Sequence, residues 1–329
     1  MTQVASKDSG AIFPADAAYA AHVADLAERV GAAVDREVSA IILRPAGMLD
    51  GSTVPAAEAA ALVDRLGLGS STELALLSLP VAGRLASPPI SGYRVAAVGI
   101  EAESGDLVLG GNLEFPGSEL STTVHAEGFV SLRARRRGRT LAILAVAEAH
   151  PCAHCRQTLA ESAGANEMVI VDPLGHRLPL ADLYPWGFWP SALGIAADGP
   201  EQIAWQDLAF LPEASDAMPA GVAALLLECG THAHAPYSGA PSAVVLQARH
   251  GPILGAGCVE SVAFNPSISA LQAALVELAA RHGEPSGIAD AWLAKTANGS
   301  VDPEPGFRAL LRAIAPAADA HVVAWQTGT

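Results

Sequence analysis

The sequence predicts an α/β protein in which a three-layer α/β/α unit occurs twice, behind a helical N-terminal arm. Three observations lead there. Apolar residues recur at helical spacing through the first 86 residues. From Tyr93 onward short β-rich runs alternate with helical ones, the order of a sheet covered on both faces. A stretch near Ser91 is echoed near Ser238, which implies duplication of the unit.

In the arm, Ala18, Ala21, Val23, Leu26 and Val30 predict an amphipathic helix over about residues 14–34. Val54-Pro55-Ala56 opens a second helix that runs toward Leu66. Ser70, with Glu73 three residues on, has capping-box spacing and opens a third toward Leu85. The arm (1–86) carries no chemical motif, so its expected role is packing against the core or a partner subunit.

The next unit (87–198) holds the chemistry. Residues 94–100 and 106–110 read as strands joined by a turn at Ser104-Gly105, and 141–147 and 168–171 as buried strands. Between them stand His125-Ala126-Glu127 and Pro151-Cys152-Ala153-His154-Cys155-Arg156. Both are expected to begin helices: Ser121-Thr122-Thr123 precedes the first, and Pro151 sits where a first helical turn tolerates proline. His125, Cys152 and Cys155 offer one imidazole and two thiolates, the three-ligand set that leaves a catalytic zinc one position for a water of lowered pKa. The thiolate charges balance the metal, and two helix N-termini favour the ionised sulfurs. Glu127 is too near His125 in sequence to be a fourth ligand but can stand beside the water as proton shuttle. A structural zinc site would require a fourth Cys or His at suitable spacing. A redox Cys-x-x-Cys would leave His125 and Glu127 without a use. The expectation is one zinc per chain.

Tyr184-Pro185-Trp186-Gly187-Phe188-Trp189-Pro190 ends the unit, and 199–219 reads as a linker. In the second copy (220–329), Pro236-Tyr237-Ser238-Gly239 through Gly257-Cys258-Val259-Glu260 echoes Pro89-Ile90-Ser91-Gly92 through Gly111-Asn112-Leu113-Glu114. Where His-Ala-Glu should recur the chain has, to within a residue, Ala270-Leu271-Gln272, and no second Cys-x-x-Cys follows. That copy is expected to bind no zinc.

A net charge of −15 argues against nucleic acid, whose binding rests on lysine and arginine contacts to phosphates. The basic run from Arg133 to Arg139 reads as a solvated helix face. No apolar run is long enough to span a membrane, and the N-terminus lacks the pattern of a signal peptide, so a cytoplasmic protein is expected. Cys229 and Cys258 read as small buried apolar residues rather than a disulfide.

The joined motifs are the signature established for zinc nucleobase deaminases. The chain as a whole resembles the larger, homodimeric class of cytidine deaminases. The resemblance rests on Ile90-Ser91-Gly92-Tyr93, Gly111-Asn112-Leu113-Glu114-Phe115, Thr123-Val124-His125-Ala126-Glu127, Pro151 through Gln157, and Val262-Ala263-Phe264-Asn265-Pro266 with Leu271-Gln272. It implies a homodimer, each chain with one active domain and one that lost its metal. It implies that Glu127 serves as general acid and base, that Asn112 and Glu114 bind the sugar hydroxyls, and that the backbone near Ala126 and Cys152 lies against the base edge. Tyr93 stands where the family usually has phenylalanine, keeping the ring and adding a hydroxyl. Phe188 matches an aromatic that stacks near the base; ordinary core packing is the other reading. Phe264 and Asn265 match a segment that closes the partner subunit's site. The implied reaction is hydrolytic deamination of cytidine and deoxycytidine in pyrimidine salvage. The alternatives are a deaminase of a modified cytosine nucleoside, a zinc-stabilised binding module without catalysis, and a nucleic-acid editor, which the acidic balance disfavours.

Overall fold

The structure is a computed structural model and describes residues 14–44, 51–147, 150–196, 205, 207–212, 218–249 and 251–327. Helix α1 (Ala17–Ile42) starts at Asp16, whose carboxylate accepts from the Ala18 and Tyr19 amides. It runs past the expected end near residue 34 because the apolar stripe continues through Val34, Val38 and Ile42, all buried. The charges at Asp35, Arg36 and Glu37, which look like a break in sequence, pair on its outer side with one another and with Arg84 and Arg65.

Strand β1 (Thr53–Val54) precedes α2 (Ala56–Leu66), which ends at Gly67 in the left-handed region. Ser70 caps α3 (Ser71–Leu77) by accepting from the Glu73 amide. The Glu73 carboxylate turns to the Gly69 amide instead of that of Ser70, so only half of the expected capping box forms. The helix expected to reach Leu85 is interrupted. Pro80 has no N–H for the helical ladder, and the chain restarts as α4 (Leu79–Ala82) and a 3-10 turn over Gly83–Leu85.

Strands β2 (Ala96–Glu101) and β3 (Leu107–Gly111), helix α5 (Ala126–Arg136), β4 (Leu141–Val146), α6 (Ala153–Leu159), β5 (Val169–Val171), β6 (Arg177–Pro179) and α7 (Leu180–Leu183) complete the first unit. Its sheet runs β1-β3-β2-β4-β5-β6, with β4 and β5 parallel and the other pairs antiparallel. Alternate residues of β2 separate the layers: Val98 and Ile100 join α1 to α4, whereas Ala97 faces α5 and α6. The arm is thus one outer layer of the sandwich. Glycines bring α5 close to the sheet, since a Cβ at Gly99 would lie 2.6 Å from Val130 Cγ1 and one at Gly110 2.7 Å from Phe129 Cδ1.

The second unit comprises β7 (Ala209–Phe210), α8 (Ala220–Thr231), β8 (Ser242–Ala248), β9 (Ile253–Gly257), α9 (Ala270–Ala279), β10 (Ile288–Thr296), α10 (Glu304–Ile314) and β11 (Asp319–Gln326). Its sheet order is β7-β11-β10-β8-β9. The series β3-β2-β4-β5 recurs as β9-β8-β10-β11, again with the last pair parallel, so the duplication expected from sequence is present in topology. Within the stretch read as a linker, Ala209 and Phe210 instead pair with β11 as an edge strand. The Phe210 ring packs near Trp325, a contact that no local sequence signal announces.

The basic run is not a solvated face. Arg133 is fully buried between α5 and α9, ion-paired with Glu277 and donating to the Gly51 carbonyl at 2.6 Å. Arg136 donates to the Gly255 carbonyl and to Glu228, and Arg137 binds Glu101 and Asp106. Arg133 and Arg136 tie the units together while Arg137 pairs within the first, so the helix reads as polar in sequence yet is buried on nearly every side. Cys229 and Cys258 are buried free thiols, as expected.

A second polar joint lies under α6. Glu161 Oε2 meets His234 Nε2 at 3.0 Å and the Tyr237 hydroxyl at 2.7 Å, while Oε1 accepts from the Val262 amide at 2.6 Å. Among the described residues His234 Nδ1 has no hydrogen-bond partner. That is the pattern of a neutral ring carrying its proton on Nε2. Burial, reinforced by the Arg135 charge, pushes the His234 pKa down to about 4. Since the unfolded chain protonates this histidine near pH 6.5 and the folded chain does not, its contribution is intact above pH ~6.5 and is lost as pH falls toward ~4. Acidification to pH 5 is expected to cost about 2 kcal/mol through this residue. Melting curves from pH 7 to 5 should therefore fall less steeply for His234→Gln than for the parent; equal slopes would remove His234 from the account.

Candidate active site

Helices α5 and α6 point their N-termini at one spot. His125 is the N-cap of α5 and Cys152 that of α6, both in extended backbone conformation. Ser121-Thr122-Thr123 therefore caps nothing; Leu120–Thr122 form a 3-10 turn. Pro151 lies one residue before the cap rather than in the first helical turn. The capping positions are thus taken by two of the candidate metal ligands, His125 and Cys152.

His125 Nδ1 lies 3.6 Å from Cys152 Sγ and 3.3 Å from Cys155 Sγ, and the two sulfurs are 3.6 Å apart. Ligands at ~2.3 Å (sulfur) and ~2.1 Å (nitrogen) around one tetrahedral zinc stand about 3.6–3.8 Å from each other, so the three atoms fit that ion. A hydrogen bond from Cys155 and the nearby imidazole pull the Cys152 thiol down to about 3, while the same bond and burial push Cys155 up. The directions oppose because, without the metal, one thiolate is held by the other thiol. A cation would ionise both. The bond to Cys152 raises His125.

Glu127, on the first turn of α5, is 3% exposed, and burial pushes its carboxyl above the usual range. Its side chain reaches Cys155. A largely buried carboxyl of raised pKa beside a metal site can carry a proton and give it up.

Asn112 and Glu114 shape the loop above this centre. Asn112 Oδ1 accepts from the Val95 amide at 2.9 Å and Nδ2 donates to the Tyr93 carbonyl at 3.0 Å. Glu114 accepts from the Ile90 and Ser91 amides, both at 2.8 Å, and from the Ser91 hydroxyl. These bonds hold its carboxyl below the usual range despite some desolvation. The loop thus presents the Tyr93 ring, 55% exposed. Ala126 is fully buried at the start of α5.

Phe188 is an exposed ring whose carbonyl accepts from Gln157 Nε2 at 2.7 Å, and Gln157 also takes the Tyr184 hydroxyl. Core packing does not describe Phe188; its neighbour Trp189 is the ring that joins the core. Phe264, 63% exposed at φ +62°, and Asn265 occupy a loop between Val262, bound to Glu161, and Pro266, whose carbonyl accepts from Thr158.

Gln272 was legible only as part of a degenerate motif. It closes a complete capping box with Ser269 and donates from Nε2 to the Thr122 carbonyl at 2.9 Å, three residues before His125. The Ser-x-x-Gln spacing itself was a signal for this helix start. Gln272→Ala is expected to lower stability by about 1 kcal/mol through the lost cap while zinc stays at one per chain, as read by denaturation and metal analysis. Two zincs per chain would overturn the metal-free reading of the second copy.

Cap positions also correct the alignment of the copies. Ser269, the N-cap of α9, stands at the place of His125, and Leu271 at that of Glu127. Pro303, the N-cap of α10, stands at that of Cys152, and Gly306 at that of Cys155. A further group, His150, Asp172 and His176, also converges on one spot. There Asp172 accepts from the Leu174 and His176 amides and the His176 ring, which is the hydrogen bonding of a turn.

Two family models, each described as the cytidine and deoxycytidylate deaminase zinc-binding region, match residues 70–172 and 180–305. A cytidine deaminase of Shewanella baltica is 34% identical over 225 residues, covering 68% of this chain and 72% of the relative. One from Shewanella woodyi is 33% identical over 247 residues, covering 74% and 80%. A crystal structure of cytidine deaminase from Mycobacterium tuberculosis aligns at 30% identity over 34% of this chain and 91% of that one, with a TM-score of 0.30.

Proposed function

Because this chain belongs to the cytidine deaminase family, we propose that it hydrolyses the exocyclic amine of cytidine and deoxycytidine, yielding uridine or deoxyuridine and ammonia. The observation that carries the reading is the convergence of His125, Cys152 and Cys155 beside the buried carboxyl of Glu127. A purely structural metal site has no use for that carboxyl.

His125 Nδ1 and the sulfurs of Cys152 and Cys155 hold the zinc, which when bound supplies a water of lowered pKa as the nucleophile for C4. Glu127 protonates N3 of the cytosine ring as C4 becomes tetrahedral, then takes the hydroxyl proton and delivers it to the amine. Ammonia leaves, and Glu127, now a carboxylate, takes a proton from the next water and is again the carboxyl that began the cycle. The raised pKa of Glu127 suits the first of these steps. The backbone at Ala126 and Cys152 borders the base edge. Glu114, as an anionic acceptor, takes a sugar hydroxyl alongside Asn112. Tyr93 and Phe188 supply aromatic walls.

The centre is open, with His125 and Cys152 both exposed in the single chain. Tyr93, Phe188, Trp186 and Phe264 are large exposed rings, an amount of apolar surface that supports a partner subunit. In this reading the chain is a homodimer, and Phe264 and Asn265 of each subunit close the site of the other. The reaction serves pyrimidine salvage in the cytoplasm. Among the described residues no helix is long and apolar enough to cross a membrane, and the acidic balance disfavours nucleic acid as substrate.

The test is absorbance loss with ammonia release on cytidine, deoxycytidine and cytidine monophosphate in parallel. Both nucleosides should be converted and the nucleotide left intact, because Glu114 repels a phosphate. Glu114→Gln should raise KM roughly 10- to 100-fold, the worth of a hydrogen bond to a charged group. Silence on all three substrates with zinc bound would sink the assignment, and turnover of a modified cytosine nucleoside alone would redirect it.

A further inference from the structure

The second unit carries an open cavity of about 560 Å³ at the place equivalent to the candidate active site. Tyr237, Ser238, Cys258, Glu260, Ser269 and Val301 line it. The equivalence is positional: Ser269 and Pro303, the N-caps that stand for His125 and Cys152, line it together with Glu260. Glu260 repeats the arrangement of Glu114. It accepts from the Tyr237 and Ser238 amides, each at 3.0 Å, and from the Ser238 hydroxyl, as Glu114 accepts from Ile90 and Ser91.

What differs is the floor. Ser269 and Pro303 line it where His125 and Cys152 stand in the first copy, and Leu271 and Gly306 take the places of Glu127 and Cys155, so the ligand set and the Glu127 carboxyl are not repeated. Ser269 and Gly306 are smaller than the residues whose places they take, and Ala240 stands where Tyr93 stands in the first copy. A pocket kept only as scaffold is expected to be filled by side chains, whereas about 560 Å³ is in the range of a small-molecule site. Glu260 gives the lining an acidic group that disfavours phosphate, whereas Asp302, also in the lining, is ion-paired with Lys295.

The geometry points to a second, non-catalytic site that binds an uncharged nucleoside, with Glu260 accepting from a sugar hydroxyl and the base against the apolar floor. The inference extends the role given to Glu114 and rests on that reading.

Equilibrium dialysis of the zinc-loaded full-length protein against labelled uridine, which the enzyme does not consume, tests it. The parent should bind one equivalent of uridine per chain more than Glu260→Gln does. Val301→Trp, which places a bulky ring at the exposed mouth, should remove the same equivalent. Both variants should keep the parent's cytidine deamination rate at low substrate, which also shows that they fold. Uridine binding that neither variant lowers overturns the inference, as does a parent that binds no uridine. Deamination alongside unaltered uridine stoichiometry refutes this site alone. A Glu260-dependent equivalent in a protein that deaminates nothing refutes the catalytic reading instead.

Discussion

Glu127→Ala is expected to keep the fold and a full zinc complement while lowering deamination about 10³- to 10⁴-fold, the upper range for removal of a general acid–base group. The fold should survive because the carboxyl lies on the first turn of α5 beside the metal site and joins none of the struts between the units. Zinc should survive because His125, Cys152 and Cys155 already form a complete three-ligand set. Metal analysis and cytidine turnover on the same sample separate the outcomes. Loss of zinc would make Glu127 a ligand, and retained turnover would remove it from proton transfer.

The largest effect on stability is expected at Glu277→Ala. Arg133 is wholly buried and Glu277 is 3% exposed, so truncating the carboxylate leaves a desolvated guanidinium beside the Gly51 carbonyl without its charged partner Glu277. Arg281, which shares the same carboxylate oxygen at 3.1 Å, loses that partner and keeps the Glu277 carbonyl at 2.8 Å. Breaking a buried pair in this way costs about 3–5 kcal/mol, whereas replacing both members by apolar residues of similar size is often close to neutral. Chemical denaturation should therefore show a deep loss for Glu277→Ala and recovery of most of it in Arg133→Met/Glu277→Leu. A loss under 1 kcal/mol in the single variant would mean that water reaches the pair. Because Arg133 lies on α5, the same helix that carries Glu127, metal affinity should weaken along with stability.

The sequence by itself determined the candidate site. His125, Glu127, Cys152 and Cys155 were legible because ligand type and short spacing on helix starts leave few other uses for those residues together. It also determined the alternation of strands and helices, the repeat, and the loss of metal ligands in the second copy, since each is written in local patterns of apolar, turn and ligand residues. Tertiary structure decided where charge is buried. Arg133 to Arg137 read as a solvated face because sequence periodicity records polarity, not the carboxylates and carbonyls that meet it from Gly51, Glu101, Gly255 and Glu277 far along the chain. It also decided the true register of the copies, in which Ser269 rather than Ala270 stands for His125, because a helix cap is defined by backbone geometry. The latch from Gln272 to Thr122 and the cavity above Glu260 belong to the same class. Each depends on groups brought together across more than twenty residues of chain, and no window of sequence holds both sides of such a contact.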